Sequence, residues 1–157
     1  MGVDILAIPG ISGKVALDIL SETGIDMGAW QSASHFTSWL GLAPKNKISG
    51  DRLLGHFKSK HKGKANQAFK LAAWSLHSNK SHLGALYRRL SVRKHSEIAV
   101  QAVARKLALI FYNMVKNKTA YRPESAQNYD KKSKERERKI LEKKAKKLGY
   151  VLYKEVG

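Results

Sequence analysis

The stretch Ile5-Leu-Ala-Ile-Pro-Gly-Ile-Ser-Gly-Lys-Val-Ala-Leu-Asp-Ile-Leu20 decides how this chain reads. It predicts a short helix, a Pro-Gly turn and a second helix. Ile5, Ile8, Ile11, Ala16, Leu17 and Leu20 recur at helical spacing and are expected to face one core. A helix-hairpin-helix of this kind suits a nucleic-acid phosphate. Backbone N–H groups at a helix start have no intrahelical partner, and the helix dipole favours an anion there. Gly10 and Gly13 permit positive φ and close backbone approach. Lys14 adds a positive charge. Gly10, Ser12, Gly13 and Lys14 are therefore the expected phosphate contacts. Ser12 departs from the usual Gly-apolar-Gly pattern, since serine tolerates positive φ poorly. The plain alternative is an ordinary helical turn stabilised by Pro9 and Gly10.

Charge supports the first reading. The 157 residues carry 30 lysines and arginines against 12 acids, a net charge of +18. Such an imbalance points to a polyanion, most often nucleic acid. A chain of this length buries roughly 70% of the surface its unfolded form exposes, enough for a real core. No uninterrupted apolar run approaches the roughly 20 residues that span a bilayer. The N-terminus lacks a signal-peptide layout, so a membrane partner is not expected. There is no cysteine, which removes disulfides and thiolate metal sites. The expected location is cytoplasmic, in association with the nucleoid.

Two parts are expected, residues 1–123 and a basic helical tail at 124–157. Gly24 is a helix stop, and Ser32 or Ser34 caps a helix carrying Phe36, Trp39 and Leu40. From Lys45 to Gly63 the pattern loses its period. Lys45, Lys47, Arg52, Lys58, Lys60 and Lys62 face a single acid, Asp51. This predicts an extended loop or hairpin, and long irregular segments in compact domains tend to be functional. Ala65, Phe69, Ala72, Ala73 and Leu76 make a helical stripe over Lys64–Ser78. Another helix is expected over Leu83–Leu90. Ala99, Val103, Leu107, Ile110 and Met114 mark a long central helix with Ser96 as its N-cap. In the tail, Lys131–Lys147 suits a charged helix that ends at Gly149, and Tyr150–Tyr153 a short strand or docking segment.

Candidate chemistry concentrates in the basic segment. Ser49-Gly50 alone is a turn former. Set among Lys45, Lys47, Arg52 and Lys58, its hydroxyl lies in a field that attracts a phosphodiester and eases ionisation. The histidines and acids offer no metal-ligand spacing. Asp18 and Glu22, one turn apart, read as a solvated helix face, and no two-metal centre is expected. Trp30, Trp39 and Trp74 are expected in the core.

The order of these motifs is recognisable: Ile8-Pro-Gly-Ile11 with Ala16, Trp39-Leu-Gly-Leu-Ala-Pro44, Ser49-Gly50, a Lys-rich turn through Gly63, Leu71-Ala-Ala-Trp74, Ala102-Val-Ala-Arg-Lys-Leu107, Tyr121 and Leu148-Gly-Tyr-Val151. The series resembles the C-terminal half of the bridge-RNA-guided insertion-sequence transposases (the "IS one-ten" family) and is similar to the Piv-type DNA invertases. The resemblance implies a serine nucleophile, Ser49, with Ser59 as runner-up. It also implies Arg52 as phosphate stabiliser, and DNA contacts from Lys45, Lys47, Lys58, Lys60, Lys62 and Lys64. Full-length members carry a RuvC-like domain with four acidic metal ligands, and the chain begins just before the hairpin. The expectation is an isolated domain or truncated gene product that binds DNA without cutting it. It needs no cofactor of its own, and Mg²⁺ enters only with the RuvC-like half. A guide RNA and homo-oligomerisation of the full-length form are implied partners. The alternative is a stand-alone helix-hairpin-helix module, architectural or RNA-binding. In fold class the chain reads as mainly α.

Overall fold

Serine side chains start three of the helices. Ser12 Oγ accepts from the N–H of Val15 at 3.4 Å and opens α1 (Gly13–Thr23). Ser32 Oγ accepts from His35 N–H at 3.2 Å and opens α2 (Ala33–Trp39). Each bond satisfies a donor that the first turn leaves without a helical partner. The computed structural model describes residues 2–49, 52–57, 63–123 and 126–153. After α2 come two antiparallel strands, β1 (Lys45–Ser49) and β2 (Arg52–Phe57). Next is α3 (Lys64–Ser75), prolonged by a 3-10 turn over Leu76–Ser78. Ser81 Oγ caps α4 (His82–Arg93) through Gly84 N–H at 3.3 Å. The long helix α5 spans Ser96–Asn117 and α6 spans Ala126–Lys147. The fold is mainly α, as the sequence implies.

Two units divide the chain, Met1–Arg122 and Pro123–Gly157. In the first, α5 packs against α2, α3 and α4, while α1 packs against α3. The buried face of α5 runs through Ala99, Val103, Leu107, Phe111 and Met114, and Ile110 lies at its edge. By length and composition this helix could also cross a membrane, and half of its apolar window is buried in the core. Phe36 is the centre of an aromatic cluster. Its ring centroid lies 4.9 Å from Trp30, 5.5 Å from Tyr112 and 6.2 Å from Phe111. Truncating such a buried phenylalanine typically costs about 3–5 kcal/mol.

Several local expectations need correction. The first helix of the N-terminal hairpin is a single 3-10 turn, Ile5–Ala7. Leu17 points outward and is exposed, so the apolar stripe of α1 runs through Val15, Ala16 and Ile19 instead. Ser96 is not the N-cap of α5. His95 holds that position without a side-chain cap bond. Trp74 is not in the core. It is 65% exposed, and Trp39 is 38% exposed at the margin of the aromatic cluster.

Glycine is required where two helices meet. A Cβ on Gly84 would run into the carbonyl oxygen of Asn79 and lie 2.8 Å from that of Leu76. Only a residue without a side chain lets the start of α4 approach the preceding turn this closely.

The second unit is built on α6. From Lys134 to Gly149 its side chains are exposed, apart from the half-buried Ala145. Arg138 and Glu142 pair across one turn at 3.2 Å. Gly149 takes a φ of 79° and ends the helix as expected. Tyr150–Tyr153 form no strand and are exposed.

Candidate nucleic-acid interface

The basic hairpin leaves the core at Ala43 and returns at Lys64, and core side chains hold both ends. Asn66 on α3 donates its Nδ2–H to the Leu40 carbonyl at 2.6 Å, in a buried bond. Gln101 on α5 donates Nε2–H to the Gly41 carbonyl at 3.1 Å. The Leu42 and Ala43 N–H groups both bond the Thr37 carbonyl, at 2.9 and 3.1 Å. Leu40 and Leu42 are buried. At the return, Ala65 N–H donates to the Glu22 carboxylate at 2.6 Å. Glu22 is therefore not part of a merely solvated face. It closes α3 onto α1.

Between these anchors the backbone register pairs Lys45 with Phe57, Asn46 with His56 and Lys47 with Gly55. A bulge follows between Lys47 and Ile48. The extra residue belongs to β2, because Ile48 pairs with Leu53. Ser49 and Arg52 then form the last pair of the register. The register thus brings the expected nucleophile and its expected phosphate partner opposite each other on adjacent strands. Ser59, Lys58, Lys60 and Lys62 lie outside the described residues. Lys64 is the exposed first residue of α3.

The N-terminal turn differs from expectation in its chemistry. Gly10 has a φ of +88°, and a Cβ there would stand 2.6 Å from the Ala72 carbonyl oxygen. The close approach that this glycine permits is to α3 of the same chain. Ser12 sits at a φ of −85°, so the position demands no glycine. Its Oγ is engaged in capping Val15. Ser12, Gly13 and Lys14 are exposed together at the start of α1. A Cβ on Gly13 would meet nothing within 4 Å. An anion can approach this helix end, where the dipole favours it.

Electrostatics extend the picture beyond the hairpin. From Arg52 to Ser96 the chain holds eleven lysines and arginines and no aspartate or glutamate. Among the described residues no group of three or more His, Cys, Asp or Glu is placed to hold a metal ion. Tyr121, beyond α5, is half-buried, and its hydroxyl has no partner among the described residues. Burial pushes its phenol above the ordinary pKa.

Sequence reasoning missed the exposure of Trp74, although a signal was present. The stripe of Ala65, Phe69, Ala72, Ala73 and Leu76 fixes the inner side of α3. By helical phase, Trp74 then falls on the outer side with Gln67 and Leu71.

No curated protein matches the chain. A family model does, over residues 4–88, from the N-terminal 3-10 turn through the hairpin and α3 into α4. Its description is Transposase IS116/IS110/IS902 family. The match takes in the Pro-Gly turn, the anchoring side chains of Glu22 and Asn66 and the Ser49–Arg52 pair, but not Gln101, and it covers more than half of the residues. The chain belongs to the Transposase IS116/IS110/IS902 family.

Proposed function

We propose that the chain is the DNA-binding, serine-bearing part of a transposase, and that Ser49 is its nucleophile. The pairing of Ser49 with Arg52 at the end of an anchored hairpin carries this reading. In the proposed step Ser49 Oγ attacks a DNA phosphorus. An Oγ–P bond forms and one P–O ester bond breaks. The serine proton is released, and the departing oxygen leaves as a hydroxyl after taking up a proton. Arg52 offsets the charge that develops on the phosphoryl oxygens. Ser59 is the runner-up nucleophile. Lys45, Lys47, Lys58, Lys60, Lys62 and Lys64 hold the DNA backbone, and Gly13 and Lys14 add a phosphate contact at the α1 N-terminus.

The resemblance of the sequence to bridge-RNA-guided transposases supports a guide RNA as a second nucleic-acid partner and a homo-oligomer as the working form. On the same ground, Mg²⁺ chemistry belongs to a RuvC-like half, and these 157 residues bind DNA in the cytoplasm without cutting it. The test is twofold. In a transposase that carries both halves, Ser49→Ala is expected to abolish covalent attachment to terminal-end DNA while sparing binding, and Ser59→Ala to leave attachment intact. The chain alone, incubated with the same DNA and Mg²⁺, is expected to leave it uncut. Attachment that survives Ser49→Ala overturns the assignment.

A further inference from the structure

Trp74 is a large apolar surface set in a positive field. It is 65% exposed on α3, and Leu71, on the same outer side, is 52% exposed. Lys70 precedes Trp74 by one helical turn and His77 follows it by one. Arg88 reaches back to the end of this helical segment. Its Nη1–H groups donate to the carbonyl oxygens of His77 at 3.0 Å and Asn79 at 2.8 Å. The nearest acids in sequence are Asp51 and Glu97, far to either side.

We infer that Trp74 is a stacking platform for an unpaired nucleic-acid base. This inference rests on the nucleic-acid reading above and adds the strand state of the ligand. The charge selects the class of occupant. A second copy of this chain brings its own +18, and the repulsion between two such charges opposes docking of one copy on the other. A polyanion is attracted to it. The indole then selects within that class. Bases inside a duplex cover one another's faces and offer only their edges in the grooves. An exposed aromatic face is complementary to a base whose own face is free, as in single strands, bulges and splayed ends. Leu71 extends the apolar platform, and Lys70 and Arg88 supply charge for the flanking phosphates.

The test uses the full chain with a fluorescein-labelled oligo(dT), a long linear duplex and phosphatidylserine vesicles. Stacking contributes about 1–3 kcal/mol per base, so Trp74→Ala is expected to weaken oligo(dT) binding about 5- to 100-fold. Duplex affinity should stay within about twofold, on the same stacking argument. Trp74→Phe keeps a ring and should retain most of the oligo(dT) affinity. It should also remove the tryptophan quenching that oligo(dT) causes in the parent chain. Equal oligo(dT) binding by Trp74→Ala and the parent overturns the inference. So does a proportionate loss on duplex and single strand, or a loss confined to the vesicles. If the parent binds duplex and Trp74 is silent, the platform alone falls. If the parent binds neither nucleic acid, the wider reading falls with it.

Discussion

The Glu22 carboxylate accepts a 2.6 Å hydrogen bond from the backbone N–H of Ala65. The acceptor stands in the last turn of α1 and the donor in the first turn of α3. Gly63, the N-cap of α3, has no side chain to offer, so a carboxylate 43 residues upstream of Ala65 does the capping. The negative charge also complements the positive end of the helix dipole. Replacing Glu22 by Ala should cost about 1–2 kcal/mol of stability. Urea unfolding should show a lower midpoint with an unchanged slope.

Gly10 and Gly13 should respond oppositely to the same change. Gly10→Ala forces a Cβ against the Ala72 carbonyl at a φ of +88°. The expected loss is about 2 kcal/mol or more, because strain and clash act together. Gly13→Ala meets open space in the first turn of α1. It should be neutral or stabilise by up to about 1 kcal/mol. Thermal melts of the two variants separate these outcomes.

Lys14 reports on DNA contact at the α1 N-terminus. If it neutralises one phosphate, Lys14→Gln should weaken duplex binding at all sequences alike. The slope of log K against log salt should become shallower by about 0.9. A titration over several salt concentrations measures this directly. An unchanged slope removes Lys14 from the interface.

Tyr121 makes stability sensitive to alkali. Its phenol is raised by burial, so folding favours the protonated form. That contribution is fully present below the unfolded-state pKa and is lost as pH rises through the higher folded-state value. Tyr121→Phe removes a half-buried hydroxyl that has no partner among the described residues. The variant should be neutral or up to about 1 kcal/mol more stable near pH 7. It should lose less stability than the parent on titration above about pH 10.

The helices were legible because their signals are local. Serine before an apolar period starts α2, and Gly24 and Gly149 end α1 and α6, whereas the cap that Ser12 gives α1 showed only in the structure. The basic segment was legible as something other than helix, but its strands are short and bulged, so no clean alternation announced them. What stayed hidden depends on partners distant in sequence. Gly10 looks like a phosphate-approach glycine until α3 is seen against it. Glu22 looks solvated until Ala65 N–H arrives. Residue type alone puts Trp74 in the core, although the phase of its own helix sets it outside. The Ser49–Arg52 pair combines both kinds of information. The residue types came from the sequence, and their opposition on adjacent strands came from the register.

The two-ended attachment of the hairpin has an evolutionary consequence. Leu40 and Gly41 at one end and Ala65 at the other are tied to Asn66, Gln101 and Glu22, and none of these six residues belongs to β1 or β2. The segment is therefore a replaceable cassette. Its length and bulge can vary around a retained Ser49–Arg52 pair while the sockets that receive it stay fixed. Conversely, suppressors of a hairpin defect are expected in α1, α3 and α5, where those sockets are built.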